Sequence, residues 1–146
     1  MNDAFPDHPF GTRISRDELT GRLAHATGWE AKNRLLVQLG RDLPDWPADA
    51  RTDDRLVSGC ESRVWLAISR QGSTFALSAD SDSRIIKGLL ALVLTAFHGR
   101  SANEIATFDL EHWIGELGLL RFLSASRGNG LRAIVLKIRE IASIQQ

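Results

Sequence analysis

The stretch from Ile85 to Phe97 constrains this chain more than any other. Ile85, Ile86, Leu89, Leu90, Leu92, Val93, Leu94 and Phe97 surround a 3.6-residue helix on nearly every side. Such a helix has no polar face to leave in water, so the rest of the chain must enclose it. Its longest apolar run, near Leu89 to Ala96, is too short to cross a bilayer. Asp80-Ser81-Asp82-Ser83 offers caps before it and Gly99 a stop after it, predicting a central core helix from Ser83 to about His98.

The remaining patterns supply the enclosure. Ser15-Arg16-Asp17-Glu18 has the form of a capping box and opens a helix with Leu19 and Leu23 inward, ending near Gly28. Trp29 to Leu43 places Leu35, Leu36 and Leu39 on one face, and Pro44 and Pro47 end it in a turn around Asp45-Trp46. From Leu56 the period changes to two. Val64, Leu66 and Ile68 alternate with Trp65, Ala67 and Ser69; Gln71-Gly72-Ser73 is a turn signal; Phe75, Leu77 and Ala79 alternate again. These runs predict an antiparallel hairpin, with Leu56-Val57 as a short strand before it. Ser101-Ala102-Asn103-Glu104 is a second capping box. Short helices follow over Ala102 to Ala106 and Leu110 to Leu117, and a last helix runs from about Gly128 to Ile144 with Leu131, Ile134, Val135, Ile138 and Ile141 as its stripe. Helices around one small antiparallel sheet give an α+β fold, here as one domain over residues 1–146 with an extended N-terminal arm over 1–13.

Composition narrows the function. Lys plus Arg equals Asp plus Glu at 18 each, which disfavours direct nucleic-acid binding through phosphate neutralisation. The N-terminus has no basic stretch followed by an apolar one, so no signal peptide and no membrane partner are expected. The chain has a single cysteine, Cys60. It therefore needs no oxidising compartment, and the reading is cytoplasmic. The histidines, His8, His25, His98 and His112, show no zinc-type spacing, and no metal site is predicted.

Cys60 is the chemical candidate. Core cysteines usually sit inside apolar runs, whereas this one is flanked by Ser58, Gly59, Glu61 and Ser62, on a tight loop at a sheet end where Gly59 permits an unusual backbone angle. Arg63 is close enough in sequence to favour the thiolate if the fold brings it round.

The segment Leu56-Val57-Ser58-Gly59-Cys60-Glu61-Ser62-Arg63-Val64-Trp65-Leu66 resembles the SufE/CsdE family around its acceptor cysteine. Trp29-Glu30-Ala31-Lys32 with Leu39-Gly40, Asp80 to Leu89, and Leu123 to Leu131 with its Ser-Arg-x-x-Gly wording are similar to further blocks of that family, in the same order. His8-Pro9-Phe10-Gly11-Thr12 and Leu-Ser-Ala-Ser-Arg lean toward the CsdE branch. The resemblance implies a SufE/IscU-like fold and a sulfur acceptor: Cys60 takes persulfide sulfur from a cysteine desulfurase of the SufS/CsdA kind, stimulates it, and passes the sulfur to a downstream recipient in iron–sulfur cluster assembly or another sulfur-trafficking route. Pyridoxal phosphate belongs to that partner and the chain itself needs no cofactor, so Lys32, Lys87 and Lys137 read as surface charges.

The resemblance also proposes surroundings for Cys60. Arg127, in a Ser-Arg-Gly-Asn-Gly turn, belongs near the cysteine or the partner interface. The resemblance has Asp82 help hold the cysteine loop. By their own patterns, Asp82 and Ser83 cap the core helix, Arg84 and Lys87 form its polar face or meet an acidic partner surface, Glu116 pairs with a nearby base or is solvated, with a place near the loop as the alternative, and Trp65 packs in the core beneath the loop. Three alternatives compete: a cysteine hydrolase, for which no histidine stands in a resembling block; a cluster scaffold, for which one thiolate is too few; and a non-catalytic interaction module with a structural cysteine.

Overall fold

A computed structural model describes residues 5–145. Six α-helices surround one hairpin: α1 (Arg16–His25), α2 (Trp29–Asp42), β1 (Val64–Gln71), β2 (Thr74–Ser81), α3 (Arg84–Phe97), α4 (Ala102–Thr107), α5 (Leu110–Glu116) and α6 (Ala125–Gln145). Residues 1–4 of the expected arm lie outside the described residues. Over the rest of the arm no helix forms, and Phe10 is fully buried.

The α3 helix lies at the centre, as its composition demands: every residue from Gly88 to Phe97 is buried. Ser83 caps it by accepting the Ile86 N–H, and Gly99 leaves it with φ 76°. The α2 helix crosses α3 closely. A Cβ on Gly88 would fall on the Leu36 carbonyl oxygen, and one on Gly40 would lie 3.0 Å from the Arg84 carbonyl oxygen. Bare backbone at both positions is what permits the crossing.

The hairpin is antiparallel, with Val64 opposite Ser81 and Gln71 opposite Thr74. Strand β2 runs two residues beyond the last expected alternation. Val64 and Leu66 join Leu77 and Ala79 in the main core under α3. The opposite face carries Trp65, covered by Trp46 and Ala50 from the segment after α2. Trp65 therefore packs as predicted in a core but on the side of the sheet away from Val64. The expected strand at Leu56-Val57 reduces to one bridge, Leu56 to Trp65, and a bond from Val57 N–H to Val64 O at 2.9 Å.

The edge of β2 is closed by side chains. Leu77 N–H donates to His98 Nδ1 at 2.9 Å, and His8 Nε2–H donates to the Leu77 carbonyl at 2.7 Å. His8 Nδ1 accepts the Phe10 N–H at 3.2 Å. Two packed imidazoles, 4.6 Å apart, thus satisfy backbone groups that a further strand would otherwise pair.

The last helix begins earlier than the sequence suggests. Ser124 acts as its N-cap, its Oγ accepting the Arg127 N–H at 3.4 Å and its carbonyl the Gly128 N–H at 2.8 Å. Ser-Arg-Gly-Asn-Gly is not a turn but the first two turns of α6. The three residues added, Ala125 to Arg127, precede the expected start at Gly128, and the cap that recruits them is Ser124.

Candidate functional site

Cys60 sits at the apex of a six-residue loop, 58–63, whose base is pinched by the Val57–Val64 bond. Among the described residues, 58–62 find no backbone–backbone hydrogen-bond partner. The loop is held by a few points only. Ser81 Oγ donates to the Arg63 carbonyl at 2.7 Å, Arg63 Nε donates to Asp82 at 3.1 Å, and Cys60 Sγ donates to the Gly130 carbonyl at 3.7 Å. Gly59 adopts φ 93°, a left-handed angle that glycine reaches without strain.

The half-buried sulfur opens on a cavity of about 150 Å³ between the loop, α3 and α6. Its walls include Val64, Ile86, Leu90, Leu131 and Ile134, with Arg127 and Ser126 at the polar side. Burial pushes the Cys60 thiol up from its ordinary value, and no cation among the described residues offsets the shift. The docked residue is therefore a thiol at neutral pH.

The expected surroundings separate. Glu61 and Arg127 line the cavity with Cys60. Arg127 stands in the first turn of α6 and its Nη1 donates to the Phe122 carbonyl at 3.1 Å. Ser58 and Gly59 are exposed on the same loop. Arg63 does not turn toward the sulfur. Its guanidinium lies 5.5 Å from the Trp65 ring centroid and pairs with Asp82, with two thirds of the side chain exposed. The thiolate-favouring role expected of Arg63 is thereby corrected. Asp82 does not cap α3, since Ser83 alone does so; it ties down the exit of the cysteine loop through Arg63.

Three residues fall elsewhere. Glu116 is exposed and lies 3.6 Å from His112, one turn back on α5, and does not line the cavity. Arg84 is exposed in a separate polar cleft with Arg41, Asp45 and Lys87. Lys87 is no docking cation: its side chain is 13% exposed, it pairs with Asp45, and its Nζ lies 3.5 Å from Asp80. Lys32 is likewise not a free surface charge, since its Nζ donates to the Ala26 carbonyl at 2.6 Å beyond the end of α1. Lys137 is exposed as expected.

The residue that sequence reasoning missed is Asp80. It is fully buried. One carboxylate oxygen accepts the Trp46 N–H at 2.9 Å and Arg51 Nε and Nη2 at 3.0 and 2.7 Å; the other accepts the Ser81 N–H at 2.8 Å. Read as part of a capping run, it instead ties the covering segment to the back of the sheet. The available signal was strand parity: Asp80 is an odd step from Ala79 and so must face Trp65, its register partner, rather than α3.

Among the described residues, no group of three or more His, Cys, Asp or Glu side chains is placed to hold a metal ion. None of their helices is long and apolar enough to cross a membrane.

Comparison with known proteins identifies the family. Residues 17–142 match the SufE family model, described as an Fe-S metabolism associated domain. The sulfur acceptor protein CsdE of Escherichia coli K12 is 40% identical over 134 residues, covering 91% of each chain. An uncharacterised SufE-like protein of Rhizobium etli is 35% identical over 144 residues, 94% of this chain and 97% of that one. One from Rhizobium meliloti is 36% identical over 132 residues, covering 88% and 94%. The solution structure of a hypothetical protein from Thermus thermophilus superposes with a TM-score of 0.66 over 84% of this chain and 90% of that chain; at 18% identity it supports the α+β fold alone. The chain belongs to the SufE family and, within it, to the CsdE branch.

Proposed function

We propose that this protein is a cytoplasmic sulfur acceptor that takes persulfide sulfur from a cysteine desulfurase onto Cys60, stimulates that enzyme, and hands the sulfur to a downstream recipient. The observation that carries the reading is a family-matched cysteine held on a loosely bonded loop over an apolar cavity. The chemistry is thiol–disulfide exchange with a persulfide in place of the disulfide. The Cys60 thiolate attacks the outer sulfur of the partner's persulfide. A new S–S bond forms on Cys60, the partner's S–S bond breaks, and the partner cysteine leaves with the electron pair as a thiolate. Nothing is oxidised overall. Pyridoxal phosphate acts on the partner, where the sulfur is first released from cysteine; no residue of this chain is assigned to it.

Burial lowers the thiolate fraction of the docked Cys60 further and covers part of the sulfur. Loading is therefore favoured when the loop leaves the cavity, and its few hydrogen bonds make that motion inexpensive. On return, the walls formed by Ile86, Leu90 and Ile134 shield the persulfide from further oxidation. Incubation with a cysteine desulfurase and cysteine is expected to add one sulfur atom to Cys60, read by mass spectrometry of the intact chain and its peptides. An unmodified Cys60 beside a demonstrably active SufS- or CsdA-type enzyme overturns the reading. Stimulation that survives intact in Cys60→Ser would instead support the non-catalytic interaction module.

A further inference from the structure

The outer edge of β2 is covered in two ways. At Phe75 the cover is main chain: its N–H donates to the Arg100 carbonyl at 2.9 Å, and its carbonyl accepts the Gly99 N–H at 2.8 Å. At Leu77 the cover is a pair of imidazoles, His98 Nδ1 accepting the N–H and His8 Nε2–H donating to the carbonyl. The segment that brings His8 there divides at Pro9. From Pro9 to Ile14 the chain is fastened by its own bonds. The Pro9 carbonyl accepts the Ile14 N–H at 2.9 Å, the Ile14 carbonyl accepts the Gly11 N–H at 2.8 Å, and Phe10 is fully buried. Gly11 packs on the end of α3, where a Cβ would lie 3.0 Å from the His98 carbonyl oxygen. Before Pro9 the fastening is by side chains. Among the described residues, 5–8 make no backbone–backbone hydrogen bond. Phe5 rests on Trp46, with ring centroids 4.6 Å apart, and His8 bonds to Leu77.

These bonds fix both imidazoles in the neutral form. His8 donates through Nε2–H and accepts the Phe10 N–H at Nδ1. His98 needs its Nδ1 lone pair for the Leu77 N–H. A proton on either Nδ1 sets two N–H groups against each other. Burial is the largest force against a charge on either ring. The neighbours do little to offset it. Asp7 and Arg13 of the arm oppose each other at His8, the hairpin faces the pair with uncharged Ser69, Gln71 and Ser78, and α3 supplies only the other imidazole, 4.6 Å away. Release of 5–8 returns His8 to water and uncovers His98, so the released state binds protons better. We propose that residues 5–8 form an acid-released strap over the edge of β2, latched by His8 and His98 and hinged at Pro9, so that mild acidification uncovers that edge while the domain stays folded. The turn beyond the hinge keeps its own bonds, and the bared edge at Leu77 then offers an unpaired N–H and C=O.

Hydrogen exchange of the full chain, followed amide by amide by NMR and divided by the intrinsic rate at each pH, tests the strap. Below the ordinary histidine range, each proton taken up on release raises the open population by up to about tenfold per pH unit. Protection of the Leu77 amide is therefore expected to fall about tenfold to a hundredfold per pH unit, one factor of ten for each imidazole. The amides of Leu90 to Val93, at the centre of α3, are expected to keep theirs, which separates strap release from unfolding of the domain. His8→Gln with His98→Asn supplies the donor and the acceptor at Leu77 without titrating, and its Leu77 protection is expected to stay level with pH. Phe5→Ala loosens the strap without touching the latch. It is expected to raise Leu77 exchange by the same factor at every pH. Should the double variant fail to fold, His8→Gln alone is expected to cut the wild-type pH dependence by about tenfold per pH unit. A level wild-type profile at Leu77, a fall shared equally by Leu90 to Val93, or a folded histidine variant that falls as steeply as wild type overturns the proposal.

Discussion

Replacing Asp80 by alanine tests the account of how the back of the sheet is held. The carboxylate is fully buried and receives the Trp46 N–H and two N–H groups of Arg51, with Lys87 Nζ 3.5 Å away. Removing one partner of a buried ion pair costs about 3–5 kcal/mol, most of it the penalty of the charge left behind. Arg51 keeps about a third of its side chain in solvent and Lys87 retains Asp45, which places the ionic part near the lower end. The orphaned Trp46 amide adds about 1 kcal/mol, so Asp80→Ala is expected to lose about 4 kcal/mol. For a domain of this length that lowers Tm by roughly 8–16 °C. Asp80→Asn keeps an acceptor oxygen while removing the charge, and about 2 kcal/mol is expected. Urea unfolding followed by tryptophan fluorescence measures both, since Trp46 and Trp65 are buried in the cluster that Asp80 anchors. A loss below about 1 kcal/mol for alanine, or equal losses for the two variants, would show that the buried ion pairs are not what holds the segment.

Two further expectations concern packing and pH. Gly88→Ala drives a methyl onto the Leu36 carbonyl oxygen and within 2.9 Å of Leu36 Cγ. It should destabilise by about 3 kcal/mol, while Gly21→Ala on the open face of α1, with nothing within 4 Å, should stabilise by about 0.5–1 kcal/mol; equal urea midpoints for the two would refute the close crossing. His8 and His98 are both lowered in pKa, chiefly by burial. Their folded forms are neutral, so their contribution is fully present above the ordinary histidine range and is lost as pH falls from about 6.5 through the depressed folded values. His8→Gln with His98→Asn preserves the donor and acceptor at Leu77 without titrating and should flatten the acid side of the stability profile. An unchanged slope would mean that the pair does not govern it.

Much of the fold was legible because it rests on local periodicity. The all-round apolar run of α3, the alternation across Gly72 and the Ser101–Glu104 box are each visible within a few residues, and each matches an observed element. Cys60 stood out by its polar flanks and by the motif around it. Its environment was far less legible. Arg63 is three residues from Cys60, yet strand parity sends its side chain toward Trp65 and Asp82. Lys87 carries a charge on a predicted polar face but is engaged by Asp45 and Asp80, whereas Glu116 is solvated beside His112 on α5, away from the loop where its alternative reading put it. The first turn of α6 was missed because its apolar stripe begins only at Leu131, while the Ser124 cap that starts it is a contact of the folded backbone.

Periodicity, caps and the motif around Cys60 by themselves determined the elements, their order, the buried helix and the family, because each depends on spacing along the chain. Tertiary structure alone decided which carboxylate is buried, which cations are spent on internal partners, and that the sulfur rests on Gly130. Those outcomes depend on distances between segments far apart in the chain. A Cβ that is absent, or a charge that finds its partner across the fold, leaves no periodic trace in sequence.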